Sequence, residues 1–170
     1  MKKLIFTLAI ATFGLAAGAQ DKASDKTLKF SVGVEAGLPL GDIKEIASID
    51  IGGSLQNKYI ATKTVGITLS ADYLTFSNKS VNFGGGSVKL PSTSIVPVLA
   101  GAKFYFSEKF YGHAQAGLSF FNNGGGSAFT YAPALGVMAS ENIDISLKYQ
   151  GASKTGSTIS FIGLRVAYGF

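Results

Sequence analysis

The segment from Thr158 to Phe170 constrains the chain more than any other. Stepping back in twos from Phe170 gives Tyr168, Val166, Leu164 and Ile162 on one face; the other carries Gly169, Ala167, Arg165, Gly163 and Phe161. One face is continuously apolar, and the other is mostly small and holds a cation. A strand whose apolar face runs unbroken along its whole length suits a transmembrane barrel, where that face meets lipid.

The start of the chain reads differently. Lys2 and Lys3 precede an apolar run from Leu4 to Ala16, and Ala17-Gly18-Ala19 fits a small-x-small cleavage pattern. The run is shorter than the ~20 apolar residues a spanning helix requires. Residues 1–19 are therefore expected to be a signal peptide cut after Ala19, with 20–27 a short polar lead-in to a barrel domain over 28–170. Without Lys2 and Lys3, 13 basic residues face 10 acidic ones, so the charge falls from +5 to +3, too little to argue for nucleic acid. There is no cysteine, which excludes disulfides and thiolate metal sites. Hydrophobic residues make up 46%, yet no later stretch is long enough for a spanning helix. In lipid the remaining solution is a closed sheet, because every backbone group must be paired.

Alternation predicts eight strands, at about 28–38, 49–60, 64–76, 94–106, 110–121, 128–139, 143–150 and 158–170. Pro39 is expected to end the first, Pro97 to weaken the fourth, and Pro133 to introduce a bulge or a local break in pairing. Asp42 to Glu45 has capping-box spacing and suggests a short helical turn. The stretch from Ser77 to Thr93, with Gly84 to Gly86 and Pro91, reads as a mobile surface loop. Three-residue reversals at Ala61 to Lys63, Ser107 to Lys109 and Ser140 to Asn142 alternate with longer connections, in step with an up-and-down antiparallel meander. Aromatics gather at strand ends as two girdles: Phe30, Tyr59, Phe104, Phe106, Phe110, Tyr168 and Phe170 at the short-turn end, and Tyr73, Phe76, Phe120, Phe129, Tyr131 and Tyr149 at the other.

The signal, the eight alternating Gly-rich strands and the terminal Leu164-x-Val166-x-Tyr168-x-Phe170 resemble the outer membrane protein beta-barrel domain family of the porin-like superfamily. The resemblance is to the small class typified by outer-membrane proteins A and X, and it covers almost the whole mature chain. It implies an all-β, eight-stranded transmembrane barrel in the bacterial outer membrane with both termini periplasmic. It also implies recognition of the C-terminal motif by the barrel-assembly machinery, and no single activity.

If the apolar faces meet lipid, the lumen receives Glu35, Asp50, Gln56, Lys58, Asp72, Lys103, Tyr105, Tyr111, His113, Gln115, Asp144, Lys148, Gln150 and Arg165. Mixed charges suggest a neutralising network of Glu35, Lys58, Asp72, Lys103, Asp144, Lys148 and Arg165, with an ion pair or short network where Glu35 and Arg165 meet across the closing strands. Eight strands leave a bore that side chains fill. His113 lacks the converging ligands of a metal site or the carboxylate of a nucleophilic one. The Gly-rich runs at Gly84 and Gly124 lack the Lys-Ser/Thr of a phosphate loop. No catalytic residue, metal ligand or cofactor is read from the sequence, and an enzyme is not expected. The expected role is an envelope structural and surface-interaction protein with a plugged lumen, contacting outer-membrane lipid and an extracellular ligand at its loops, above all at Ser77 to Thr93. The alternative is a narrow porin-like channel for small solutes, lined by Lys58, Lys103, Lys148 and Arg165. Cleavage after Ala19 gives a mature chain beginning at Gln20, an expectation that the intact mass of the exported protein checks directly.

Overall fold

The computed structural model describes residues 28–41, 47–78, 80–83, 86–89, 93–122, 124–154 and 156–170. The expected signal, the lead-in and the helical turn at Asp42 to Glu45 lie outside them. Eight strands form one closed antiparallel barrel: β1 (Leu28–Leu40), β2 (Ala47–Ile60), β3 (Val65–Asn78), β6 (Thr93–Tyr105), β7 (Phe110–Phe121), β8 (Gly126–Met138), β9 (Ile143–Lys154) and β10 (Ser157–Gly169). Two short strands, β4 (Ser80–Phe83) and β5 (Gly86–Lys89), pair only with each other.

Closure is achieved by β1 pairing with β10, where Glu35 faces Arg165 and Val34 faces Val166. Following paired positions from Phe30 through Asn57, Leu69, Ala100, Ala116, Tyr131, Gly151 and Ser160 returns to β1 at Leu40, ten residues above the start. With eight strands, that stagger tilts each strand by about 40° and holds the backbone about 8 Å from the axis. Strands of 12 to 14 residues then rise roughly 30 Å, the thickness of a hydrocarbon layer.

Alternation sorts the side chains. Val34 and Leu135 are each 67% exposed on the outer wall, in a belt shared with Ile51, Leu69, Leu147 and Leu164. Inward neighbours such as Glu35, Ser54, Thr68, Gln115 and Lys148 are buried. Exposed Tyr59, Phe104, Phe106, Phe110, Tyr168 and Phe170 ring the short-turn end, and Tyr73, Phe120, Phe129 and Tyr131 the other. Phe76 departs from the expected girdle: in strand order it follows Asp72 and Leu74 on the inward face, and it is buried.

The short turns share one device. Thr62, Ser107 and Ser140 each accept, through the side-chain hydroxyl, a hydrogen bond from the amide three residues on: Val65 at 3.0 Å, Phe110 at 3.1 Å and Ile143 at 3.1 Å. The prolines act on one neighbour at a time. Around Pro97 the pairing of β3 with β6 skips from Ala71–Val98 to Leu74–Ile95, and around Pro133 that of β8 with β9 skips from Tyr131–Gly151 to Ala134–Lys148, both without a change of register. Pro97 still faces Ser119, and Pro133 still faces Ala114, on the opposite side. A missing amide hydrogen breaks one ladder and spares the other, so Pro133 gives a break and no bulge. Pro39 does not end β1: pairing with β2 stops at Gly37, while pairing with β10 continues to Leu40.

Two further boundaries differ from the sequence reading. Within the expected loop at Ser77 to Thr93, β4 and β5 form a hairpin with Val81 opposite Val88; the short alternation Val81-Asn82-Phe83 before the glycines was its signal. Strand β9 runs past Gln150 to Lys154, so that only two residues connect it to β10, and Gly156 turns there at φ +83°. The Tyr131 ring covers Gly151, where an added Cβ would meet its Cζ at 2.6 Å, the usual way an aromatic protects a glycine in a sheet.

Inside, glycines make room for large neighbours. A Cβ on Gly136 would lie 2.2 Å from Cζ of the buried Tyr111, so Gly136→Val is expected to cost about 1–3 kcal/mol through overpacking. On the outer wall, the same substitution at Gly53 meets only the Gly33 carbonyl at 3.8 Å and should be tolerated. Urea unfolding of the two refolded variants compares them.

Candidate functional site

Among the described residues the lumen is where the fold gathers its buried polar and charged side chains, and it is built in tiers. Nearest the short turns, Lys103 reaches from β6 to Asp144 on β9, Nζ to Oδ2 2.5 Å, and lies over the Tyr111 ring at 4.2 Å. The Tyr111 hydroxyl donates to the other oxygen of Asp144. Lys58 Nζ donates to Tyr105 Oη at 2.8 Å, and the Tyr105 and Tyr111 rings pack at 5.6 Å.

The middle tier centres on Lys148. Its ammonium lies 2.9 Å from Glu35 Oε2 and 3.1 Å from Asp72 Oδ2, bridging β9 to β1 and β3 across the bore. Asp72 also accepts its hydrogen bond, whereas Glu35 takes part through charge alone, neither oxygen making a hydrogen bond of good geometry. The expected Glu35–Arg165 pair is not formed. The two residues sit opposite each other at closure, but Arg165 donates from Nε to Ser54 Oγ at 2.7 Å and from Nη2 to Ser31 Oγ at 3.3 Å. Ser31 lies on β1, beside β10, and Ser54 on β2 beyond it, so the long guanidinium takes neutral acceptors along the wall and Glu35 is left to Lys148.

His113 Nε2 hydrogen-bonds Thr68 Oγ1 at 2.9 Å, and Gln115 donates to Ser70 at 2.9 Å. Among the described residues no group of three His, Cys, Asp or Glu side chains could hold a metal ion. Farther up, Thr130 donates to Ser119 at 2.6 Å, while Asp50 and Gln150 are buried without a side-chain hydrogen-bond partner.

At this same level, where Asp50 pairs with Phe76 and Gln150 with Phe161, the lumen also holds an apolar cluster. Leu74, Phe76, Ile95 and Phe161 form a buried cluster with Phe121 against it, and the Phe76 and Phe161 rings meet edge to face at 5.9 Å. The sequence reading did not assemble this cap. Its signal was parity, since Leu74 and Phe76 continue the inward series of Ser70 and Asp72.

The C-terminal motif faces outward, with Leu164, Val166, Tyr168 and Phe170 all exposed. At its end, Phe170 N donates to Phe30 O at 2.8 Å, and Asn142 clamps Gly169 through N–H···O bonds in both directions, at 2.7 and 2.8 Å.

Solved structures resemble this architecture. Ail, the attachment invasion locus protein of Yersinia pestis, superposes with a TM-score of 0.58 at 16% identity, covering 84% of this chain and 97% of that one. The fold is that of the small outer-membrane barrels. The N-terminal barrel domain of Pseudomonas aeruginosa OprF gives 0.56 at 15% identity, with 86% and 100% covered. A second Ail structure, in complex with the heparin analogue sucrose octasulfate, gives 0.57 at 17% identity, with 86% and 100% covered. No family model matches the chain, and no curated protein does.

Removing one member of the middle tier leaves charges stranded in a low dielectric. Lys148→Met is expected to destabilise the refolded barrel by about 3–5 kcal/mol. Adding Glu35→Gln and Asp72→Asn should recover part of that loss, a coupling that a denaturant-unfolding mutant cycle reads.

Proposed function

We propose that the chain is an outer-membrane barrel with a closed lumen that serves as an envelope structural and surface-interaction protein. In this reading residues 1–19 are removed on export and both termini are periplasmic. The motif Leu164, Val166, Tyr168 and Phe170 is what the assembly machinery recognises. The observation that carries the reading is the double closure of the bore. The Glu35–Lys148–Asp72 bridge spans its middle, and Leu74, Phe76, Ile95 and Phe161 cap it above. A solute would have to break a buried ion pair and then cross an apolar plug, and each step opposes conduction.

With transport disfavoured, specific contact falls to the long-loop end, where loops carried on a rigid scaffold are free to vary. Among the described residues the β4–β5 hairpin is the one strand pair outside the barrel, with Lys79 just before it and Lys89 at its end in sequence. Ail bound to a heparin analogue supports a sulfated polyanion as the first extracellular ligand to try.

Planar-bilayer conductance of the refolded chain tests the closure. The expected result is silence in the wild type, with current appearing in a Lys148→Ala, Phe161→Ala double variant. Steady wild-type conductance would sink the plugged reading in favour of a narrow channel. Replacing residues 79–90 by a short Gly-Ser link is expected to abolish retention on immobilised heparin while leaving the barrel's heat-modifiable gel mobility intact.

A further inference from the structure

The lumen is polarised along its axis. Toward the short turns lie Lys29, Lys58 and Lys103, with Asp144 and Glu141 as the acids beside them. Deeper in, Glu35, Asp50 and Asp72 outnumber Lys148 and Arg165. At the cationic end a cavity of about 60 Å³ opens to the outside, and its wall includes Lys29, Ser31, Lys58, Lys103, Asn142 and Asp144. That is room for several water-sized groups.

Two of its lysines are placed against ordinary sheet chemistry. Lys29 on β1 and Lys58 on β2 are direct cross-strand partners, and like charges directly opposite repel. Their parity is inward, two residues from Ser31 and Gln56 respectively, so both point into the mouth. Lys103 is already committed to Asp144. Lys58 donates to a neutral hydroxyl, and neither Lys58 nor Lys29 has a carboxylate within ion-pairing distance among the described residues. The Ser31 hydroxyl and the Asn142 side-chain amide stand on the same wall but are already engaged, Ser31 with Gln56 O and Asn142 with Gly169 O.

We propose that this mouth binds a small phosphate-type oxyanion, held between Lys29 and Lys58. An anion there turns the Lys29–Lys58 repulsion into two charge-assisted contacts. It also sits at the end of the bore where the luminal field is positive. Selection for a tetrahedral oxyanion over chloride follows from the need to reach two ammonium groups on adjacent strands at once. Two sources carry that chemistry: a soluble phosphate, and the phosphate of a lipid headgroup folded over the rim, where exposed Phe104, Phe106 and Tyr168 mark the interface.

The test is an NMR titration of the refolded full barrel in maltoside micelles, which contain no phosphate, following the amides of Lys29, Asn57 and Gly169. One arm adds inorganic phosphate against chloride at matched ionic strength; the other adds phospholipid without inorganic phosphate. Saturable shifts with inorganic phosphate, weakened about tenfold by Lys58→Met and abolished by adding Lys29→Met, support a soluble anion as occupant. Shifts that appear only with phospholipid, and vanish in the same double variant, support a headgroup. No saturable shift in either arm, or shifts unchanged in the double variant, overturns the site. Lys29→Met alone changes an exposed side chain, so a weakened response in that variant reads binding even if the double variant folds poorly.

Discussion

Everything in this molecule depends on the ring of backbone hydrogen bonds that closes β1 onto β10 with a ten-residue stagger. In lipid an open edge would strand a row of amides and carbonyls, each costing several kcal/mol. Closure removes the edge, but it also fixes the bore. A backbone about 8 Å from the axis leaves space that side chains must occupy in full, and the sequence meets that demand by setting small residues beside large ones. Gly136 lies beneath Tyr111, Gly37 against Asp50 and Gly163 against Glu35. The richness in glycine, 22 residues in 170, is therefore in good part a consequence of the radius.

The second demand is electrostatic. Four acids and four bases, Glu35, Asp50, Asp72, Asp144, Lys58, Lys103, Lys148 and Arg165, are drawn into an interior with little water. Desolvation of isolated charges would outweigh what the sheet gains, so ammonium groups reach across the bore to carboxylates on non-adjacent strands. Such bridges also tie opposite walls together, which the wall's own hydrogen bonds, running only between neighbours, cannot do. Lys148 joins β9 to β1 and β3, and Lys103 joins β6 to β9.

Strict alternation made the wall legible in the sequence, because period two assigns every strand residue to one face or the other and a membrane barrel uses both faces fully. Eight strands and the inward set from Glu35 to Arg165 followed from it. What alternation lacks is direction across the bore. Neighbours at closure are readable from register, yet Arg165 turns to Ser54 and Ser31 and leaves Glu35 to Lys148, a choice made by side-chain reach in three dimensions. The apolar cap was hidden for another reason. Leu74, Phe76 and Ile95 are hydrophobic on the luminal face, so polarity and parity give opposite answers, and polarity alone places Phe76 in the girdle. Parity prevails, since a strand cannot turn one side chain to the other face without a bulge.

That conflict between polarity and parity is also what separates the two ends of the molecule. Apolar residues placed inward near the loops gain nothing from lipid, and a polar filling would have served the barrel's closure as well, as the middle tier demonstrates. Their effect is to fill the bore with apolar side chains toward the long-loop end, while the short-turn end opens through a cavity lined by Lys29, Lys58 and Lys103 beside Glu141 and Asp144. A barrel built to pass solutes would need both ends hydrated and a continuous polar track between them. On the closed-lumen reading proposed above, Phe76 and Phe161 toward one end and the lysine-bearing mouth at the other would give two separate surfaces on one rigid cylinder, free to differ in what they contact.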